Sequence, residues 1–332
     1  MRRFLDLGDF SREEVLSLLE LARRLERQGE PHSLAGKILG LLFFNPSLRT
    51  LASCQAAMAR LGGSSLVIHP GQGSWQLESR LGAVMDGAAA EHVREGLPVL
   101  AGYCDALGIR AFAEGRDLVA DLADAHFNAM AALIDKPLIN LESAINHPCQ
   151  ALADWKTLDD IAVPRAGRFV LSWVWHPRAL PLAVPAAVLH MAALRGMDVV
   201  VLRPEGFELP EAVLERARRA AATSGGSVRE TSERAQALEG AQMLYAKEWG
   251  ATACYGDAAG DARLRSALRG WCVRNDWFEA APECRVMHCL PVRRNTAIAD
   301  EVLDSPRSVV QRQAWNRLPA QMAVLHQLLK SP

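Results

Sequence analysis

The sequence predicts an α/β protein built as two doubly wound parallel-sheet domains, with a C-terminal helix crossing back to the first. Three observations carry this. Apolar runs that suit buried strands recur along the chain between stretches of helical composition, and strands alternating with helices at this interval form parallel, doubly wound sheets. The 332 residues exceed what one hydrophobic core usually organises, and a 50% hydrophobic fraction is ample for two. A last helix, Ala314 to Leu329, has no sheet partner left in its own half. The expected division is 1–145 with 313–332 as one domain and 146–312 as the other.

Taken in order, Ser11 and Glu14 form a capping box that opens a helix whose apolar stripe is Val15, Leu18, Leu19, Ala22 and Leu25. Ile38 to Phe44 lacks the polar alternation of a half-exposed strand and suits a central parallel strand covered on both faces. The run stops at Pro46. Helical composition follows and ends in a Gly pair, so Ser47 to Thr50 is expected at a helix N-terminus, where free N–H groups and the helix dipole attract an anion. Arg49 adds a permanent charge of fork geometry, and Ser47 and Thr50 add hydroxyls. Neither a Walker loop nor a dinucleotide fingerprint is present.

Ser64 to His69 is a second strand, followed by a polar, Gly-broken loop that carries Trp75, placed either as a lid or as a contact to a neighbouring subunit. Asp105 to Arg110 is a strand ending in an Arg where open α/β sheets bind ligands. Lys136 to Asn140 is another strand. It leads to Glu142, His147 and Gln150, with Pro148 at the first position of a helix that runs to about Ile161. The second domain starts with a strand over 168–178 that ends at His176. Further strands are expected at MDVVVLRPEG, SVRET and QMLYAKEWG, with helices at Val184 to Leu194 and Leu209 to Ala222. Residues 255–260 are expected as a mobile loop. A last strand, Glu283 to Asn295, emerges into Cys289, Leu290, Pro291, Arg293 and Arg294.

Several function classes are excluded. A formal charge of −1 with scattered basic residues leaves no nucleic-acid footprint. Seven cysteines, odd in number and without metal-type spacing, point to reduced thiols in a cytoplasmic protein with no metal. The N-terminus turns acidic before any apolar region develops, so no signal peptide is expected. The most apolar stretch, 169–194, is interrupted by His176, Arg178 and prolines, so no membrane span is expected.

Three motifs, PSLRT, HPCQ and HCLP, occur in that order, each at a strand exit. Together they resemble the aspartate/ornithine carbamoyltransferase family, and the likeness runs over nearly the whole chain. The chain lacks the S-M-G motif of the ornithine enzymes and carries YAKEWG and HPR instead, which resemble the branch acting on N-acylated ornithine. The resemblance implies that Ser47, Leu48, Arg49 and Thr50 bind carbamoyl phosphate, joined by Trp75 of an adjacent subunit in a homotrimer. It places Arg110, His147 and Gln150 on the carbamoyl group, Cys289 and Leu290 against it through their backbone, and Arg317 on the phosphate. Arg49, Thr50, Arg110, His147 and Cys289 are the implied catalytic set.

Glu142, His176, Lys247 and Arg293 match positions that bind the acylornithine. Ala90 stands where acetylornithine enzymes have a Glu and the succinyl enzyme a Pro, and Ala297 replaces a Lys that can be carboxylated. These differences favour N-succinylornithine as acceptor over N-acetylornithine, in arginine biosynthesis and without a cofactor. Two departures, Leu51 for a second Arg and Trp315 for an acidic residue, raise the alternative of a binding or regulatory subunit that has lost turnover.

Overall fold

The computed structural model describes residues 2–330, and the chain divides into two compact units. The first comprises residues up to Glu114, Val119–Cys149 and the chain from Arg317 onward; the second comprises Gly115–Leu118 and Gln150–Asn316. Each is organised around its own parallel sheet.

The strands are β1 (Arg3–Phe4), β2 (Ile38–Phe43), β3 (Ser64–Ile68), β4 (Leu77–Glu78), β5 (Glu91–His92), β6 (Ala106–Arg110) and β7 (Leu138–Glu142), then β8 (Arg168–Trp173), β9 (Asp198–Leu202), β10 (Ser227–Thr231), β11 (Ala241–Lys247) and β12 (Arg285–Met287). In the first unit the order β1-β7-β6-β2-β3 is parallel throughout and places β2 inside the sheet. That position accounts for its unbroken apolar run: Leu39, Leu41 and Leu42 are fully buried. In the second unit the order is β10-β9-β8-β11-β12, again parallel.

The first helix, Arg12–Gln28, begins at the expected capping box, in which the Ser11 side chain accepts from Glu14 N and the Glu14 carboxylate accepts from Ser11 N at 2.7 Å. Its five stripe residues are all buried. The C-terminal helix, Arg317–Leu329, packs on this helix and on helix Leu48–Arg60, so it belongs to the first unit. It starts later than expected, because a separate short helix, Val310–Trp315, precedes it.

Other boundaries also moved. β1 had no strand signature, being two residues long, and is held at the sheet edge with Asn140 Nδ2 donating to Leu5 O at 3.0 Å. β8 stops at Trp173, so His176 lies in the loop beyond it. Within 255–260 a helix begins at Ala258, capped by Asp257, whose carboxylate accepts from Gly260 N; the expected loop is therefore half helix. Inside the Trp75 loop region, β4 and β5 form a small parallel pair of their own.

Gly62 closes the turn after helix Leu48–Arg60 with φ of +84°, and a Cβ there would fall 2.2 Å from the Pro31 carbonyl oxygen. Backbone cannot yield as a flexible side chain can. Gly62→Ala is expected to lower stability by about 1–3 kcal/mol, read as a lower urea midpoint with an unchanged m-value.

Candidate active site

The candidate side chains of the first unit lie at the carboxyl ends of its strands, where β2, β6 and β7 each hand over to a loop. After β2, Ser47 is the N-cap of helix Leu48–Arg60, and its Oγ accepts from Thr50 N at 3.3 Å. Thr50 is buried, and its Oγ1 accepts from Ser47 Oγ at 3.0 Å and from Arg317 Nη2 at 3.1 Å. With both lone pairs engaged, what the Thr50 hydroxyl has left to offer a ligand is its proton. Arg49 is half-buried on the same helix turn, whereas the Leu48 side chain is 79% exposed. A helix N-terminus, two hydroxyls and the guanidinium of Arg317 thus converge, which suits a phosphate-sized anion.

Beside this cradle, β6 and β7 are paired with a register shift: Ile109 faces Asn140, but Arg110 faces Glu142. Asn140 stabilises the shift by accepting Glu142 N–H on its side-chain oxygen at 3.0 Å. Skipping Leu141 brings two charged residues side by side at the strand ends, and Arg110 Nη1 donates to Glu142 Oε2. The guanidinium also stacks over Phe112, 4.5 Å from the ring centroid. His147 Nε2 lies 3.4 Å from the same Glu142 oxygen, while His147 Nδ1 and Arg110 Nε are buried without a hydrogen-bond partner in the protein. Burial, reinforced by the charges of Arg317, Arg110 and Arg49, pushes His147 well below the usual histidine range. The ring is therefore neutral at pH 7 and carries two kinds of capacity, one N–H and one lone pair.

The second unit holds Gln150, whose Nε2 donates to Asp154 Oδ1 at 2.8 Å; Tyr245 and Gln313 bond to the same carboxylate. At the exits of β8, β11 and β12 a cavity of about 270 Å³ is lined by His176, Lys247, Cys289, Leu290 and Arg293. Those five were all picked from the sequence. Its wall also contains Leu180, Glu248, His288 and Pro291. Arg293 Nε donates to His176 Nε2 at 2.9 Å, and burial, helped by the cations Arg293 and Lys247, lowers the His176 pKa against the opposing effects of the Arg178 backbone and the Glu248 charge. Glu248, adjacent in sequence to Lys247, was missed. Burial works against its charge, yet Lys247 at 3.5 Å and the His288 hydrogen bond outweigh it and hold the carboxyl below the usual carboxylate range. His288 was missed as well; both residues lie inside quoted motifs, Glu248 in YAKEWG and His288 in HCLP, and only their burial would have marked them.

The remaining expected residues are placed as follows. Glu142, grouped at first with the acylornithine residues, sits in the first unit with Arg110 and His147. Trp75 is 62% exposed and its Nε1 donates to Glu91 Oε2 at 2.8 Å. Ala90 is exposed immediately before that glutamate. Leu51 is half-buried, Trp315 is half exposed, and Ala297 is fully buried in the core of the second unit. Among the described residues no cluster of His, Cys, Asp or Glu could hold a metal ion, and no helix is long and apolar enough to cross a membrane.

Comparison with known proteins identifies the family. The family model described as "Aspartate/ornithine carbamoyltransferase, carbamoyl-P binding domain" matches residues 2–160, and that described as the "Asp/Orn binding domain" matches residues 183–328. The chain belongs to the aspartate/ornithine carbamoyltransferase family. It is 36% identical over 333 residues to an N-acetylornithine carbamoyltransferase of Xanthomonas campestris pv. campestris, covering 99% of this chain and 98% of the relative. It is 36% identical over 295 residues to an N-succinylornithine carbamoyltransferase of Bacteroides thetaiotaomicron, covering 89% and 88%. A crystal structure of N-acetyl-L-ornithine transcarbamylase with a glutamate changed to alanine, complexed with carbamyl phosphate and N-succinyl-L-norvaline, superposes with a TM-score of 0.95 at 36% identity, covering 99% of this chain and 100% of that one.

The depressed His147 pKa makes a signed prediction. Unfolded histidine titrates near ~6.5, so below that pH the unfolded chain takes up a proton that the folded site refuses. Stability present above about pH 6.5 is therefore lost as pH falls. His147→Asn should flatten this acid decline by up to ~1.4 kcal/mol per pH unit, measured by urea unfolding between pH 7 and 5.

Proposed function

We propose that the protein transfers the carbamoyl group of carbamoyl phosphate to the δ-amine of N-succinyl-L-ornithine, giving N-succinyl-L-citrulline and phosphate. The first unit binds the donor through Ser47, Arg49, Thr50 and Arg317, with Arg110 and His147 on the carbamoyl group. The second binds the acceptor through His176, Lys247 and Arg293. The observation that carries this reading is the convergence of Ser47, Thr50 and Arg317 at one helix N-terminus, beside a buried neutral histidine.

The chemistry follows from these side chains. An alkyl amine with an ordinary pKa of about 10.4 must lose its proton before it can attack, and a cavity lined by Lys247 and Arg293 disfavours a third positive charge. As the amine adds to the carbamoyl carbon, negative charge gathers on the carbonyl oxygen. Arg110 and the Thr50 proton are the donors placed to receive it. Collapse of the intermediate breaks the bond between the carbamoyl carbon and the bridging oxygen and expels phosphate, which takes up the proton the attacking nitrogen must lose and whose charge is met by Arg49, Arg317 and the helix N-terminus. Orientation of the two substrates is the other main source of acceleration.

Succinyl is preferred to acetyl on two grounds. Ala90 removes the negative side chain that would repel a succinyl carboxylate, and an acetylornithine enzyme with a glutamate exchanged for alanine has been crystallised with a succinylated norvaline. Acetylornithine is the second reading, favoured by the equal identity to the acetylornithine enzyme of Xanthomonas.

Purified protein assayed with carbamoyl phosphate and each of ornithine, acetylornithine and succinylornithine should show the highest kcat/KM with succinylornithine. No turnover with any of them would replace the enzyme by a binding subunit. Ala90→Glu is expected to lower kcat/KM for succinylornithine relative to acetylornithine, and unchanged ratios would remove the selectivity argument. Arg49→Ala should weaken carbamoyl phosphate binding about 10- to 100-fold, the worth of a charge-assisted hydrogen bond, while circular dichroism remains that of the folded protein.

A further inference from the structure

His288 and Glu248 are buried in the wall of the acceptor cavity, with 1% and 3% of their surface exposed, and nothing in the proposed chemistry uses them. Two arrangements explain why a buried imidazole and a buried carboxylate are kept there. His288 Nδ1 accepts the backbone N–H of Leu290 at 2.9 Å. The ring proton therefore sits on Nε2, which faces Glu248 Oε2 at 3.3 Å. Leu290 has φ of +55°, a left-handed conformation that costs a residue with a Cβ about 1 kcal/mol or more and persists only where the surroundings enforce it. The strand side is fixed as well, because the Gln313 side-chain oxygen accepts His288 N–H at 2.9 Å.

We propose that Glu248 and His288 are a positioning pair for the Cys289–Leu290 turn: Glu248 sets the tautomer and orientation of the imidazole, and the imidazole pins the Leu290 amide. The proposal rests on the functional reading above and on the family resemblance, which implies that this backbone meets the carbamoyl group. With its N–H committed to His288, Leu290 meets a ligand through its carbonyl, whose direction the pinned amide fixes. The pair is not the base that deprotonates the amine. Both ring nitrogens already have protein partners, and the Glu248 carboxylate is balanced by Lys247 at 3.5 Å.

Asparagine and glutamine separate these roles, because the Asn side-chain oxygen can occupy the place of Nδ1 and that of Gln the place of Nε2. Steady-state kinetics of the full-length protein and of His288→Asn and His288→Gln would be compared, with His288→Ala as a second acceptor deletion that adds no bulk. His288→Asn should keep kcat within about tenfold of the parent. His288→Gln and His288→Ala should lose about 100-fold in kcat, the effect of a misplacement on the scale of an ångström, with KM for the acceptor little changed. The acid limb of the kcat/KM profile should stay where it is in His288→Asn, and its disappearance would make His288 the base and overturn the proposal.

Alkylation of Cys289 by iodoacetamide, followed by mass spectrometry, reports the turn without requiring activity. Its rate should match the parent in His288→Asn and rise in the other two variants. Equal kcat and equal alkylation rates across the three variants would overturn the positioning role. A parent that turns over no acceptor while the alkylation pattern holds would instead sink the functional reading and leave the turn-pinning intact.

Discussion

Much in this protein follows from burying guanidinium groups where strands end. A guanidinium out of water is costly unless it is paired, and Arg110 is paired by Glu142 across a register shift that turns two consecutive strand exits into one electrostatic unit. Without that shift Leu141 would face Arg110. The same carboxylate lies beside His147, so one residue balances an arginine and sits next to the neutral imidazole. Arg317 reaches the site from the opposite end of the chain and is fixed by Thr50. The cationic field that would hold a phosphorylated donor thus reinforces the burial that keeps His147 from charging.

The second unit applies the same economy to a different purpose. Its strand exits carry His176, Lys247 and Arg293 into one cavity, and Glu248 offsets part of their charge from within the wall. A polar group buried in such a wall must be fully hydrogen-bonded, and the bonds found here run to backbone at the strand exit: Leu290 N–H to His288 and His288 N–H to Gln313. Asp154 instead gathers the side chains of Gln150, Tyr245 and Gln313. Rigidity of the turns and satisfaction of buried polar groups are one requirement in this unit, met by Gln313 and Asp154 from outside the quoted motifs as well as by residues within them.

The sequence was most legible where local physics and chemistry coincide. The capping box at Ser11, the apolar β2 and the Ser47 cap could each be placed because a helix start or a buried strand leaves a mark within a few residues. Boundaries failed where the mark is weak. β1 is too short to show a period, β8 ends before its apolar run does, and the short helix Val310–Trp315 is continuous in composition with the longer one that follows. Glu248 and His288 were passed over because an acidic residue and a histidine in a strand exit look like surface groups until the neighbours that bury them are known.

What the sequence alone determined is the kind of protein: the alternation of strands and helices, and the helix start at Ser47 to Thr50, are written in short-range patterns. What only the tertiary structure decided is how distant charges are paired. Arg110 finds Glu142 through a one-residue slip between neighbouring strands, Arg317 finds Thr50 from 267 residues away, and Glu248 stays charged because Lys247 and His288 are buried with it. Those outcomes depend on desolvation, which is a property of the packed interior, and no local stretch of chain can specify it.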